Sequence, residues 1–134
     1  MLTITKEFLF DAAHCLRREE LSDAENFEIF GKCTKIHGHT YRLRITVAGG
    51  IDRNGMIIHF AELKALVKRH VVDRYDHAML NDLEEYRTLP PTAEVMASHI
   101  FETLSDALAE RDLLITEVTL FETPTSWATV TSDA

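Results

Sequence analysis

The stretch HGHTYRLRITVAG, residues 37–49, alternates apolar and polar side chains with a period of two. Tyr41, Leu43, Ile45 and Val47 fall on one parity, and Arg42, Arg44 and Thr46 on the other. That is the pattern of a strand with one covered face and one wet face. His37 and His39 share the parity of the apolar set, so the strand carries two imidazoles at the start of its covered row. Residues 2–12 repeat the pattern with Leu2, Ile4, Phe8, Phe10 and Ala12 in line, broken at Lys6, and His14 extends that row. Residues 113–122 return to period two with Leu114, Val118 and Leu120, and Glu122 closes the series. If these strand ends converge, they form a pocket with three imidazoles and a carboxylate.

The connections set the architecture. Residues 16–31 are charged and read as a loop with a short helix, with Ser22 as its N-cap. GGIDRNGM, residues 49–56, reads as a turn, most simply a hairpin loop leading to a further short strand. Phe60, Leu63, Leu66, Val67 and Val71 recur at helical spacing and predict a helix over 60–71. A second helix starts near PPTAEV, residues 90–95, with Glu94 in its first turn. Met96, Ile100, Leu104 and Leu108 carry its apolar stripe to about residue 110, and a short strand over 127–131 ends the pattern. The order β-β-(β)-α-α-β-β gives an antiparallel sheet carrying two helices on one face, an α+β fold, in one domain spanning 1–134.

Composition excludes several classes. The 134 residues are 46% hydrophobic and 27% charged, as in an ordinary globular protein. No apolar run approaches the roughly 20 residues of a membrane span, and the N-terminus MLTITKEFLF lacks the layout of a signal peptide. A cytoplasmic setting is expected, where Cys15 and Cys33 stay thiols. A net charge of −8 argues against nucleic-acid and acidic-membrane partners. An anionic substrate would then need a metal or a few placed cations; Lys32, Lys35, Arg42 and Arg44 lie nearest the histidine motif.

Three histidines with an open fourth position make a catalytic zinc site, whereas structural sites close all four and favour cysteine. The competing reading is that His14, His37 and His39 are half-buried strand-end residues bonded to backbone. Cys33, four residues before His37, reads as a fourth ligand, a buried filler or a reactive thiol; Cys15 reads as structural. Asp76–His77 pairs a carboxylate with an imidazole, the arrangement in which the carboxylate holds the tautomer while the imidazole takes a thiol proton. The plain alternative has Asp76 capping a turn and His77 in a surface groove. His70 and His99 read as helix surface or packing residues, and His59 as a residue at the helix cap.

Taken in order, FDAAH (10–14), LSDAENFEIFGKC (21–33), the Cys33–His37–His39 spacing, GMIIHFAELK (55–64), YDHAMLND (75–82), PTAEV (91–95) and FETPTSW (121–127) resemble the 6-pyruvoyl- and 6-carboxy-tetrahydropterin synthase family over nearly the whole chain. The resemblance implies the tunnelling fold, a four-stranded antiparallel sheet with two helices on one side. It implies a homohexamer of two stacked trimers, with active sites at subunit interfaces. It implies one zinc ion per subunit on His14, His37 and His39, and Cys33 as the reactive thiol. Asp76 and His77 would form its relay, Glu122 the pterin anchor and Thr92 a further pterin contact. The implied substrate is 7,8-dihydroneopterin triphosphate, with zinc as a Lewis acid on its side chain.

The two branches of the family leave different marks. LSDAENFEIFGKC resembles the branch that makes 6-pyruvoyl-tetrahydropterin for biopterin. The three-residue gap between Cys33 and His37, and FETPTSW, resemble the branch that also releases acetaldehyde and makes 6-carboxy-tetrahydropterin for queuosine and other deazapurines. His59 stands where that second branch commonly has aspartate. The carboxy branch is the reading taken, with the pyruvoyl synthase as its enzymatic alternative. A non-catalytic pterin-binding module and a small structural metal protein are the alternatives of other classes.

Overall fold

The computed structural model describes residues 1–133. Strands β1 (Thr3–His14), β2 (His37–Gly49), β3 (Leu113–Thr123) and β4 (Ser126–Thr131) form one antiparallel sheet in that spatial order. Between β1 and β2 lie α1 (Asp23–Phe30) and a 3-10 turn at Gly31–Thr34. Between β2 and β3 lie α2 (Phe60–Val67), a π-helical turn at Lys68–Val72, α3 (Asp73–Tyr75) and α4 (Ala93–Ala107). Alternation places Phe10, Ala12, Tyr41, Leu43, Ile45, Val47, Val118 and Leu120 on one face, all buried. The apolar stripes of α2 and α4, with Leu63, Val67, Met96, Ile100 and Leu104, join them in a single core. The two expected helices thus cover one face of a four-stranded sheet.

Three expectations need correction. The turn at 49–56 forms: Asp52 Oδ1 accepts from the amides of Asn54 (2.8 Å) and Met56 (3.1 Å), and Gly55 takes a φ of +85° that suits glycine. No strand comes after it, because His59 Nδ1 accepts from the Ala61 amide at 2.9 Å and starts α2 at once. His59 is therefore the cap residue expected of it. The helix expected over 60–71 continues to Tyr75, since the π turn re-aims its face and keeps Val71 and Tyr75 in the core. In β3 the inward parity switches: Ile115 is buried and Leu114 is 48% exposed. A register shift at Thr46/Val47 puts an extra β3 residue against β2 and flips every side chain beyond it.

Local chemistry supports the loop that carries Cys33. Ser22 and Glu25 form a reciprocal capping box at α1. Gly31 ends the helix at φ +61°, ψ −139°, which L side chains rarely adopt. Ser22→Ala is expected to lower stability by about 1 kcal/mol, read from the urea midpoint at constant slope.

A second buried cluster gives a pH signature. Arg74 donates through two guanidinium nitrogens to Glu85, Nε–Oε2 at 2.6 Å, and the Tyr75 and Tyr86 hydroxyls meet at 2.7 Å. His99 packs edge-on to Tyr86 and lies 3.7 Å from Glu85, the packing role expected for it. The Arg74 guanidinium, above all, pulls the Glu85 carboxyl from 4.5 down to about 2. A depressed folded value means that this stabilisation is complete above about pH 4.5 and is lost as pH falls toward 2. Glu85→Gln is expected to flatten the acid limb of the stability curve across that window by roughly 1–3 kcal/mol, measured by urea unfolding at neutral and acid pH.

Candidate metal centre and active site

The β1–β2 register sets His14 directly opposite His37 and Ala12 opposite His39. Parity then turns all three imidazoles to the same side of the sheet. One ring nitrogen from each lies within 4.8 Å of the other two. The ring centroids are 4.6, 5.1 and 5.0 Å apart and each pair meets edge-on. The structure thus brings together the three histidines that strand parity singled out. Cys33 is outside this group, so the reading of it as a fourth ligand falls away.

Each ring has one nitrogen engaged or one left over. His14 is 0% exposed, and its Nδ1 meets the Pro91 carbonyl at 2.8 Å. His37 Nδ1 meets the Lys35 carbonyl at 2.7 Å. Those backbone acceptors fix the tautomer and leave Nε2 with its lone pair outward, the way outer partners orient metal-ligating histidines. His14 Nε2 and His39 Nε2 are buried without a hydrogen-bond partner. Burial, foremost, pushes both rings below their ordinary value, so they stay neutral near pH 7 as a ligand must. Two orphaned buried nitrogens beside a third imidazole are costly unless something fills the gap. The donor set fits a divalent cation that accepts nitrogen ligands.

Glu122 ends the inward row of β3, with Oε1 3.4 Å from His14 Nε2 and 3.6 Å from His39 Nε2. It lines a cavity of about 480 Å³ with His39, Arg42 and Phe121. Thr92 is the N-cap of α4, accepting from the Val95 amide at 3.1 Å. It lines neither this cavity nor the one beside His77.

Asp76 and His77 lie at the outer edge of β1. His77 Nδ1 is 3.0 Å from Asp76 Oδ2, so the adjacent pair does touch. Asp76 Oδ1 accepts from the Asp11 amide at 3.0 Å, and the His77 amide donates to the Asp11 carbonyl. That Asp11 amide, then the His77 ring, holds the Asp76 carboxyl below the usual carboxylate range. His77 has a φ of +62°, the sole non-glycine in that region among the described residues. Such strain costs of order 1–3 kcal/mol and collects at functional sites. Its side chain is 79% exposed, and it lines a cavity of about 420 Å³ with Asp11, Thr40 and His39. His39 therefore stands between the two cavities. Cys33 sits in the turn after α1, its carbonyl accepting from the Leu16 amide at 2.8 Å, and lines neither cavity.

Sequence reasoning missed Pro91 and Lys35 as anchors, because carbonyl acceptors carry no residue signature. It placed Asn81 within YDHAMLND without assigning it work. Asn81 bonds the Cys15 amide and carbonyl at 2.9 and 2.8 Å and so ties the end of β1 to the relay segment.

The pattern of the family described as 6-pyruvoyl tetrahydropterin synthase matches residues 3–133. The chain belongs to the 6-pyruvoyl tetrahydropterin synthase family. It is 41% identical over 125 residues to the 6-pyruvoyl tetrahydrobiopterin synthase of Drosophila melanogaster, covering 90% of this chain and 74% of that protein. It is 33% identical over 149 residues to the 6-carboxy-5,6,7,8-tetrahydropterin synthase of Haemophilus influenzae, covering 95% of this chain and 96% of that one. The structure of the Caenorhabditis elegans 6-pyruvoyl tetrahydropterin synthase superposes with a TM-score of 0.89 at 36% identity, over 98% of this chain and 96% of that one. The four-stranded sheet and its helices are thus those of the family, and an enzyme of the pterin synthase type is supported. Members of both branches are among the relatives.

Proposed function

We propose that the chain is a zinc-dependent 6-carboxy-5,6,7,8-tetrahydropterin synthase. It would convert 7,8-dihydroneopterin triphosphate and one water to 6-carboxy-tetrahydropterin, acetaldehyde and triphosphate, a cytoplasmic step toward deazapurines such as queuosine. The observation that carries an active enzyme is the pair of orphaned Nε2 atoms on His14 and His39 beside Glu122. His14, His37 and His39 would hold the zinc, which supplies Lewis acidity at the substrate side chain.

The remaining work falls to the chain. The Glu122 carboxylate accepts the two adjacent N–H donors of a 2-amino-4-oxo pterin, a bidentate charge-assisted contact. The Thr92 oxygen serves the α4 cap; since Thr92 lines neither cavity of its own chain, its free hydroxyl hydrogen would meet a pterin only in a site shared with a neighbouring subunit. Cys33 moves protons at the substrate side chain, His77 relays them, and Asp76 holds the His77 ring. An exposed relay and a thiol that line no common cavity favour a site completed between subunits. The homohexamer of two trimers provides one. The β4 edge and the first half of the β1 edge offer strands for it, the end of β1 being covered by residues 76–79.

Product analysis decides between the branches. Zinc-loaded protein incubated with 7,8-dihydroneopterin triphosphate is expected to release acetaldehyde and 6-carboxy-tetrahydropterin, identified by mass spectrometry. Accumulation of 6-pyruvoyl-tetrahydropterin without acetaldehyde would establish the second reading, which the 41% identity to the Drosophila enzyme favours. Binding of the pterin without turnover would leave only a binding module.

A further inference from the structure

The cavity that holds Glu122 also holds one cation. Arg42, on the open face of β2, pairs across the ladder with Phe121 of β3. Its guanidinium carbon lies 4.0 Å from the Phe121 ring centroid, and Phe121 in turn packs on Trp127 at 5.0 Å. Arg44 lies over the same ring at 5.2 Å, but its Nε is bound to Glu7 Oε2 at 2.8 Å. The Arg42 side chain has no ion pair and no hydrogen bond among the described residues. Stacking holds a guanidinium by its face and leaves its in-plane N–H donors free. In a chain of net charge −8, with 22 acidic residues against 14 basic ones, a pre-oriented guanidinium without a carboxylate is a site for an anion from outside. The cavity is bipolar: Glu122 suits the N–H edge of a heterocycle, and Arg42 suits phosphate oxygens.

We infer that Arg42, braced on Phe121, is the phosphate-binding residue of this cavity and takes the phosphate end of a phosphorylated heterocyclic substrate. This rests on the reading of the cavity as the pterin site and names its charged half. It also separates Arg42 from another arginine-lined hollow, where Arg17 and Arg18 are already paired with Asp23 and Glu20 and Arg87 completes the wall.

The test compares unreactive ligands by fluorescence titration of the zinc-loaded protein: neopterin and neopterin triphosphate. The wild type is expected to favour the triphosphate. Arg42→Gln is expected to remove about 10–100-fold of that preference and leave neopterin binding unchanged, with Arg42→Lys retaining part of it. Arg87→Gln is the control and is expected to change neither. Phe121→Leu keeps the charge and removes the brace, so a smaller loss of preference is expected from it, and it carries the test if Arg42→Gln fails to fold. An unchanged preference in Arg42→Gln, no preference in the wild type, or an equal loss for both ligands would overturn the assignment. If neither pterin binds, calorimetry with inorganic tripolyphosphate in excess magnesium separates the two ideas. Arg42-dependent binding keeps the anion site and drops the pterin reading. Absent or Arg42-independent binding rejects the anion site.

Discussion

His14→Ala protein is expected to purify with no stoichiometric metal and with activity reduced about a thousandfold or more, the scale of losing a Lewis acid and its template. Metal content by mass spectrometry and turnover of 7,8-dihydroneopterin triphosphate check it. His14 is wholly buried and anchored on Pro91, so its removal also leaves a cavity and a lone carbonyl. His37→Ala separates the two effects, because His37 is only half-buried and holds the exposed Lys35 carbonyl. It is expected to lose metal and activity with little change in the apo-protein's melting temperature. Adding zinc should stabilise the wild type by about 2.7 kcal/mol at a free concentration of 100 times Kd, and neither variant at all.

Chelation of the wild type is expected to silence turnover while the far-ultraviolet dichroism of the sheet persists. The reason lies in where the core sits. Tyr41, Leu43, Ile45, Leu63, Met96, Ile100 and Leu104 pack together without help from the triad. A structural metal protein would melt instead. Melting on chelation would make the metal structural, and full activity in the metal-free His37→Ala protein would remove it from the chemistry; either result would end the catalytic-metal reading.

The site was legible because strand parity is a two-residue rule and register is set by the covered face. Once Tyr41, Leu43 and Ile45 face the core, His37 and His39 share that side. Once Phe10 and Ala12 do, so does His14. The same rule misplaced Leu114, since a bulge resets parity and leaves no residue signal in either β2 or β3. The hairpin expected after Gly49 failed for a related reason. GGIDRNGM does specify a turn, but the element after a turn depends on the cap beyond it, and His59 starts a helix. The anchoring carbonyls of Pro91 and Lys35 belong to chain geometry and were beyond any reading of side chains.

Mixing two inactive variants is the sharpest test of how the site is completed. Cys33→Ala and His77→Ala are each expected to lose about 10²–10⁴-fold in kcat, the usual weight of a positioned proton donor or acceptor. His77 is pinned at φ +62° with its ring largely in solvent, and Cys33 lines neither cavity that borders the triad. If thiol and relay meet only across a subunit boundary, dissociating and reassembling the two variants at equal amounts creates some sites with both groups intact. Random mixing predicts that about one quarter of the sites recover, and with them about one quarter of wild-type turnover. Each variant carried through the same cycle alone should recover nothing. Mass spectrometry of intact assemblies confirms that chains have exchanged. Exchange without recovery would mean that one chain supplies both groups, and the thiol would then have to reach the triad by a movement of the turn at Gly31–Thr34.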